Sequence, residues 1–202
     1  MPRRLISTTF VSLDGVMQAP GGPEEDPSGG FSLGGWTFPY FDEQAGEFMG
    51  RTMGVPFDLV LGRKTYDIFA GYWPHQPESD MSRPLNDATK YVASRARPDL
   101  SWDRSQQIEG DVAEGVAALK QEDGRELQVH GSGDLLQTLL RHRLIDEYRV
   151  LTFPVLLGSG KRLFEPGATP AGLRLLECTA SGSGVVMTRY EQAGEVRTGS
   201  FD

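Results

Sequence analysis

Phe57-Asp58-Leu59-Val60-Leu61-Gly62-Arg63-Lys64-Thr65-Tyr66-Asp67 is the stretch that decides the fold. Leu59, Val60 and Leu61 form a short unbroken apolar run, the pattern of a strand buried on both faces. Gly62 ends the run, and Thr65 to Phe69 reads as the first turns of a helix. Strand, glycine turn and helix place Arg63, Lys64 and the first helical N–H groups at the strand's carboxyl end, where open α/β sheets bind their ligands. A helix start carries partial positive charge and unpaired donors, so two cations beside it make a phosphate seat. The same residues also read as a solvated basic turn, and this stretch alone leaves both readings open.

The 202 residues suffice for one sizeable core but are few for two domains. We expect one domain over residues 1–193 and a frayed tail over 194–202. A net charge of −8 without a basic tail argues against a nucleic-acid or membrane-surface binder. Local basic turns stand out against that background and suit a small anionic ligand. Cys178 is the only cysteine, so neither an intrachain disulfide nor a cysteine-based zinc cluster is expected. It lies in an apolar run and reads as a small buried side chain. Leu5 to Thr9 is too polar for a signal-peptide core, and no apolar stretch is long enough to span a bilayer. A soluble cytoplasmic protein is the expectation.

Upstream, Leu5 to Leu13 reads as a central strand, with apolar residues on both faces. Asp14-Gly15 closes it with turn chemistry, and Val16-Met17 follows as either a wall for a flat ring or a packed loop. Residues 18–35 are rich in glycine and proline and carry Glu24-Glu25-Asp26; they read as a binding-site border or as a disordered segment. Trp36 to Glu43 leads into a helix over about Tyr40 to Met53. Asp42 and Glu43 sit in its first turn, either as dipole partners or facing a pocket. Gly71 to Asp87, with Tyr72 and Trp73, reads as a surface loop bordering a substrate site.

Downstream, Thr89 to Ala93 is a strand with Ser94-Arg95 at its end, and an arginine there suits forked bonding to phosphate. Asp111 reads as the cap of a helix stopped at Gly124. Glu126 to His130 is a strand followed by Gly131-Ser132-Gly133-Asp134, which opens a helix with Leu135, Leu136, Leu139 and Leu140 on its apolar face. Strand, Gly-x-Gly and helix can cradle phosphate, although a tight turn needs glycine for its own sake and the third glycine of the dinucleotide fingerprint is missing. Asp146 to Phe153 is a strand, Gly158 to Arg162 a second glycine turn, and Leu173 to Ala180 with Val185 to Glu191 a closing β-hairpin.

Ser12-Leu13-Asp14-Gly15, Trp36 to Pro39, Leu61 to Tyr66, Ser94-Arg95, Gly131-Ser132-Gly133, Ile145-Asp146-Glu147 and Pro154 to Phe164 follow one another in an order that resembles the dihydrofolate reductase superfamily. The resemblance runs from about Leu5 to Tyr190. It is strongest to the reductase domain at the carboxyl end of the bifunctional riboflavin-biosynthesis deaminase-reductase, in stand-alone form. The deaminase half needs a Pro-Cys-x-x-Cys pattern, which one cysteine cannot supply.

The resemblance implies an α/β fold with a mixed, mostly parallel sheet flanked by helices, and NADPH bound across the strand ends. It assigns Gly62, Arg63, Lys64, Thr65, Ser94 and Arg95 to the 2′-phosphate side. Gly131, Ser132 and Gly133, followed by Asp134 and Leu135, fall to the pyrophosphate side, and Val16 to the nicotinamide. Trp36, Tyr72 and Trp73 would border a small-molecule substrate. Asp42 or Asp14 would be the acid, although the Trp36–Asp42 spacing is one residue longer than in folate reductases, leaving Glu43 as an alternative. Leu136 stands where those enzymes often carry a tyrosine, which argues against folate itself. The implied activity is hydride transfer to a pterin-like or ribosylamino-pyrimidine-like ring by a homodimer. A non-catalytic cofactor-binding sensor is the competing expectation.

Overall fold

β1 (Leu5–Ser12) and β2 (Phe57–Gly62) are buried along almost their whole lengths, which sets them inside a sheet rather than at its rim. The computed structural model, describing residues 2–166 and 168–201, adds β3 (Lys90–Ala93), β4 (Ser105–Gln107), β5 (Glu126–His130), β6 (Glu147–Phe153), β7 (Leu173–Ala180) and β8 (Val186–Gln192). Among the described residues these strands form one sheet in the order β4-β3-β2-β5-β1-β6-β8-β7. β1 to β6 pair in parallel, and β8 runs antiparallel between β6 and β7. The mixed, mostly parallel sheet expected from the sequence is the one found.

Alternation along β2 divides the core. Phe57, Leu59 and Leu61 pack with Phe48, Met49 and Met53 of α1 (Glu43–Met53). Val60 points to the other face, among Val116 of α4 (Val112–Gln121) and Leu135, Leu136, Leu139 and Leu140 of α5 (Gly133–Arg141). Full burial of one such aliphatic side chain contributes about 1.5–3 kcal/mol. The apolar run around Gly62 is therefore a structural necessity before it is anything else.

Three local readings change. α1 starts at Glu43 rather than near Tyr40, because the Asp42 carboxylate caps it by accepting the Ala45 N–H at 3.0 Å. The expected loop at 71–87 instead holds the end of α2 (Arg63–Tyr72), a 3-10 turn over Trp73–His75, and α3 (Ser82–Asp87). Pro84 lies in the first turn of α3, where a missing N–H costs no helical bond. Cys178 is exposed, not buried, because β7 is an edge strand left open along nearly all of its length. The tail past residue 193 is tied at its start: Gly172 N–H donates to Gly194 O at 2.8 Å, and Arg143 pairs with Glu195 at 2.6 Å. Its last residue, Asp202, lies outside the described residues.

Charge is also buried in the sheet. Glu147 has no exposed surface and accepts from Arg149 Nε and Arg189 Nε, both at 2.8 Å, and from Arg4 at 3.1 Å. Burial pushes its carboxyl up, but the arginines outweigh that and hold it below its ordinary value. Among the described residues no helix is long and apolar enough to cross a membrane.

Candidate functional site: a cleft at the carboxyl ends of the parallel strands

β3, β2 and β5 are neighbours in the sheet and run in parallel, so their carboxyl ends share one edge. Each is followed by one of the turns singled out in the sequence. Gly62 leads directly into α2, Ser94 and Arg95 follow β3, and Gly131-Ser132 leads into α5. The first and last of these turns interlock: Gly62 N–H donates to Ser132 Oγ at 2.9 Å. A methyl group on Gly62 would lie 3.2 Å from Ser132 Cβ, so any larger residue would press the two turns apart. Gly131 (φ 64°) and Ser132 (φ 67°) are both left-handed, a conformation glycine adopts freely and serine only at a cost of about 1–2 kcal/mol.

The helix starts differ in a telling way. α1 and α4 begin at aspartates whose carboxylates accept N–H groups of the first turn. α2 and α5 have no side-chain cap. Ser132 is a capping residue by type, yet its hydroxyl serves Gly62 rather than its own helix. α3 also starts without a side-chain cap, but the starts of α2 and α5 line the cleft, so their first N–H groups and positive dipole ends face it.

The cleft measures about 920 Å³. Its wall includes Gly62, Arg63, Lys64, Thr65, Ser94, Arg95, Gly131, Ser132, Gly133, Asp134 and Leu135, all of which the sequence had singled out. Phe10, Met49, Met53, Phe69 and Trp73 make it apolar elsewhere. Arg63 engages Asp67 through Nε at 2.8 and 2.9 Å, while Arg95 stands exposed at the rim. On the floor, Thr8 and His130 are register partners on β1 and β5. Thr8 Oγ1 is buried and has no hydrogen-bond partner in the structure.

His130 Nε2 lies 2.8 Å from Gln128 Oε1. The Gln128 amide nitrogen donates to Thr52 O and to Glu126 Oε1, so its oxygen is the acceptor and His130 carries its proton on Nε2. Burial, aided by the nearby Arg149 charge, pushes the imidazole down to about 4, so the ring is neutral at pH 7.

Five of the residues assigned to the site fall outside the cleft wall, as does Glu43, the alternative acid. Asp14 accepts from the Ser12 hydroxyl at 2.6 Å and from the N–H groups of Leu157 (3.1 Å) and Gly158 (2.8 Å). These bonds hold its carboxyl down to about 2 and commit it to clamping the end of β1. Asp42 is taken up by Ala45 N–H and, at 3.0 Å, Ser183 N–H, which likewise hold it down to about 2. Val16 is fully buried, and Met17 takes the place on the wall. Trp36 is buried in the core and donates its indole N–H to Gln18 O at 2.8 Å, supporting the wall from behind. Tyr72 packs edge-on against Trp73 with ring centroids 5.0 Å apart, and only Trp73 reaches the cleft. Leu136, too, belongs to the core.

The acids on the wall are Glu25, Asp26, Asp67 and Asp134. Glu25 and Asp26 come from the 18–35 segment, which is folded back on itself: Gly35 N–H reaches Ala19 O at 2.8 Å, and Gln18 Nε2 donates to Asp26 O and Ser28 O, both at 2.9 Å. It is a long loop closed at its base by that Gly35–Ala19 bond. Burial raises the Glu25 carboxyl. Sequence reading found the acidic tract here but had no signal for which member turns inward.

A model of the RibD C-terminal domain matches residues 3–187. The chain belongs to the RibD C-terminal domain family. Within reach of this family member are two uncharacterized proteins of Bacillus subtilis (strain 168). YyaP is 28% identical over 201 residues, covering 95% of this chain and 96% of YyaP. YwjB is 30% identical over 181 residues, covering 87% and 90%. Among solved structures, a provisionally assigned riboflavin biosynthesis protein from Shewanella sp. PV-4 superimposes with a TM-score of 0.65 at 21% identity, over 96% of this chain and 99% of that one. A dihydrofolate reductase from Enterococcus faecalis, complexed with NADP(H), gives 0.58 at 14% identity, over 94% and 96%. The RibD C-terminal domain chain thus shares the dihydrofolate reductase fold over nearly its whole length.

Proposed function

We propose that this protein is an NADPH-dependent reductase that transfers a hydride to a small polar heterocycle of the ribosylamino-pyrimidine or pterin type. One observation carries the reading: two uncapped helix starts and the cations Arg63, Lys64 and Arg95 border the same cleft that Phe10, Met49, Met53, Phe69 and Trp73 make apolar elsewhere. Anion-binding N–H groups and an apolar, partly aromatic region side by side suit a phosphate-bearing dinucleotide with a planar reactive ring. The orphaned, buried Thr8 hydroxyl on the floor is a polar atom that a bound ring would satisfy.

The nicotinamide supplies the hydride when bound. This chain's residues hold and orient. Arg63 and Arg95 would grip the 2′-phosphate, Thr65 and Ser94 would bond its oxygens, and Gly131 to Asp134 would bring backbone N–H groups to the diphosphate. Trp73 and Phe10 would flank the rings. Glu25, whose carboxyl is raised by burial, would be the wall acid to carry a proton. The homodimer implied by the resemblance belongs to this reading, with the exposed Leu173, Leu175 and Leu176 of β7 as the surface it would cover.

Calorimetric titration of NADPH and NADH into wild type and the Arg63→Ala/Arg95→Ala double variant tests the reading. The expected result is NADPH preferred by at least tenfold in wild type and no preference in the double variant. Binding of neither dinucleotide sinks the reading. The position of Asp14 and Asp42 away from the cleft favours a second one, a cofactor-binding sensor without turnover. NADPH binding with no oxidation across a pterin and pyrimidine panel would establish it.

A further inference from the structure

Lys161 was not among the residues expected at the site, yet its side chain crosses into the cleft. Its Cδ lies 3.9 Å from where a Cβ on Gly133 would stand, at the start of α5. Its Nζ is 2.8 Å from Asp26 Oδ2. The other oxygen of the same carboxylate accepts from Lys64 Nζ, in the first turn of α2. Asp26 is therefore a carboxylate spanning two ammonium groups, one from the first turn of α2 and one from the 158–162 turn beside the start of α5. The backbone fixes this arrangement as well: Lys161 N–H donates to Gln18 Oε1 at 3.0 Å, and Met17 N–H to Lys161 O at 2.8 Å.

The electrostatics are lopsided. Burial works to raise the Asp26 carboxyl, but Lys161, Lys64 and Ser28 outweigh it and hold the group far below the carboxylate range. It is ionised at any physiological pH and cannot donate a proton. The Asp26 side chain is 12% exposed, whereas those of Lys64 and Lys161 are 53% and 40% exposed. One negative charge faces two positive ones, so the pair keeps a net positive charge toward the cleft. A diphosphate, with at least one negative charge per phosphorus, complements two ammoniums better than one carboxylate does.

We propose that Lys64 and Lys161 form a clamp for the diphosphate of the ligand, and that Asp26 is its internal competitor, holding the anion position that the diphosphate takes. This rests on the dinucleotide reading above and extends it in two ways. It moves Lys64 from the expected 2′-phosphate side to the diphosphate and adds Lys161 beside it, and it makes the 18–35 loop, through Asp26, responsive to an anion. Exchange of the carboxylate for the diphosphate releases Asp26 from both lysine side chains and leaves the loop held to Lys161 only through Gln18, so ligand binding and loop attachment oppose each other.

The test is calorimetric titration of inorganic pyrophosphate and of NADPH into wild type, Asp26→Asn and Lys161→Met, with thermal melts to confirm folding. Asp26→Asn keeps the shape and the Ser28 contact but removes the competing charge. It should bind both probes about tenfold more tightly, and Lys161→Met about tenfold more weakly. Tighter pyrophosphate binding by Asp26→Asn with no NADPH binding by any protein would uphold the clamp and sink the dinucleotide reading. Equal or weaker pyrophosphate binding by Asp26→Asn would overturn the clamp whatever NADPH does, since Asp26 would then be positioning the lysines. Should Asp26→Asn fail to fold, Lys161→Met against wild type decides: unchanged pyrophosphate affinity overturns the proposal.

Discussion

Gly62 and Ser132, seventy residues apart, are joined by a hydrogen bond from the Gly62 N–H to the Ser132 hydroxyl at 2.9 Å. This bond sets the spacing of the two glycine turns, and with it the spacing of the two helix starts that face the cleft. Ser132 holds a left-handed backbone to reach it. Local strain is tolerated where the surrounding structure over-determines it, and such positions cluster at binding sites.

Substitutions at this pair should separate strain from bonding. Ser132→Ala leaves the Gly62 N–H without its acceptor and keeps the strain, so a loss of about 1–2 kcal/mol is expected. Ser132→Gly loses the same bond but relieves the left-handed backbone, and should be the milder change. Gly62→Ala forces the turns apart and should cost about 1–3 kcal/mol. Urea denaturation measures all three, and an equal loss for Ser132→Ala and Ser132→Gly would show that Ser132 carries no strain.

His130 makes stability depend on pH. Its folded value of about 4 lies below the ordinary 6.5, so between these values the unfolded chain binds more protons. Stability from this group is therefore fully present above pH 6.5 and is lost as pH falls toward 4. Between pH 7 and pH 5 the expected loss is about 2 kcal/mol. Since carboxylates titrate in the same range, the readout is the difference between wild type and His130→Gln in urea denaturation at both pH values. An identical pH slope in the two proteins would contradict a buried neutral imidazole.

Glu147 should matter far more than a surface acid. Glu147→Gln leaves the Arg149 guanidinium, itself 8% exposed, with only the distant Glu126 carboxylate, 4.0 Å away, to balance its charge. A loss of about 3 kcal/mol is expected, lowering the thermal midpoint by about 6–12 °C for a chain of this size. Glu195→Gln breaks the exposed pair with Arg143 and should leave the midpoint unchanged. Similar melts for the two variants would show that the buried cluster adds no stability.

Much of the fold was legible before any coordinates. The run at Leu59 to Leu61 needs burial on both faces, and only an interior strand of a helix-covered sheet supplies that. Gly62 and Gly131-Ser132-Gly133 mark strand-to-helix turns because few other residues allow so close a backbone approach or a left-handed φ. The cations and glycines of the phosphate side were readable for the same reason: they sit next to their strand ends in the sequence. β4 was missed because Ser105–Gln107 is short, polar and half-exposed, with no apolar alternation to betray it.

What the sequence determined by itself was the order of strands and helices, the turns between them, and the residue types at each strand end, all set by local chemistry. Which carboxylates face the cleft was decided only by the tertiary structure. Asp14 and Asp42 have the right neighbours in sequence, but nearby N–H groups capture them for turn and helix caps. Asp26 lies in an irregular loop whose path no periodicity reveals, and it meets Lys64 and Lys161 across 38 and 135 residues of chain. Side-chain charges find partners through space, and a pairing over such separations exists only once the sheet has brought its strand ends together.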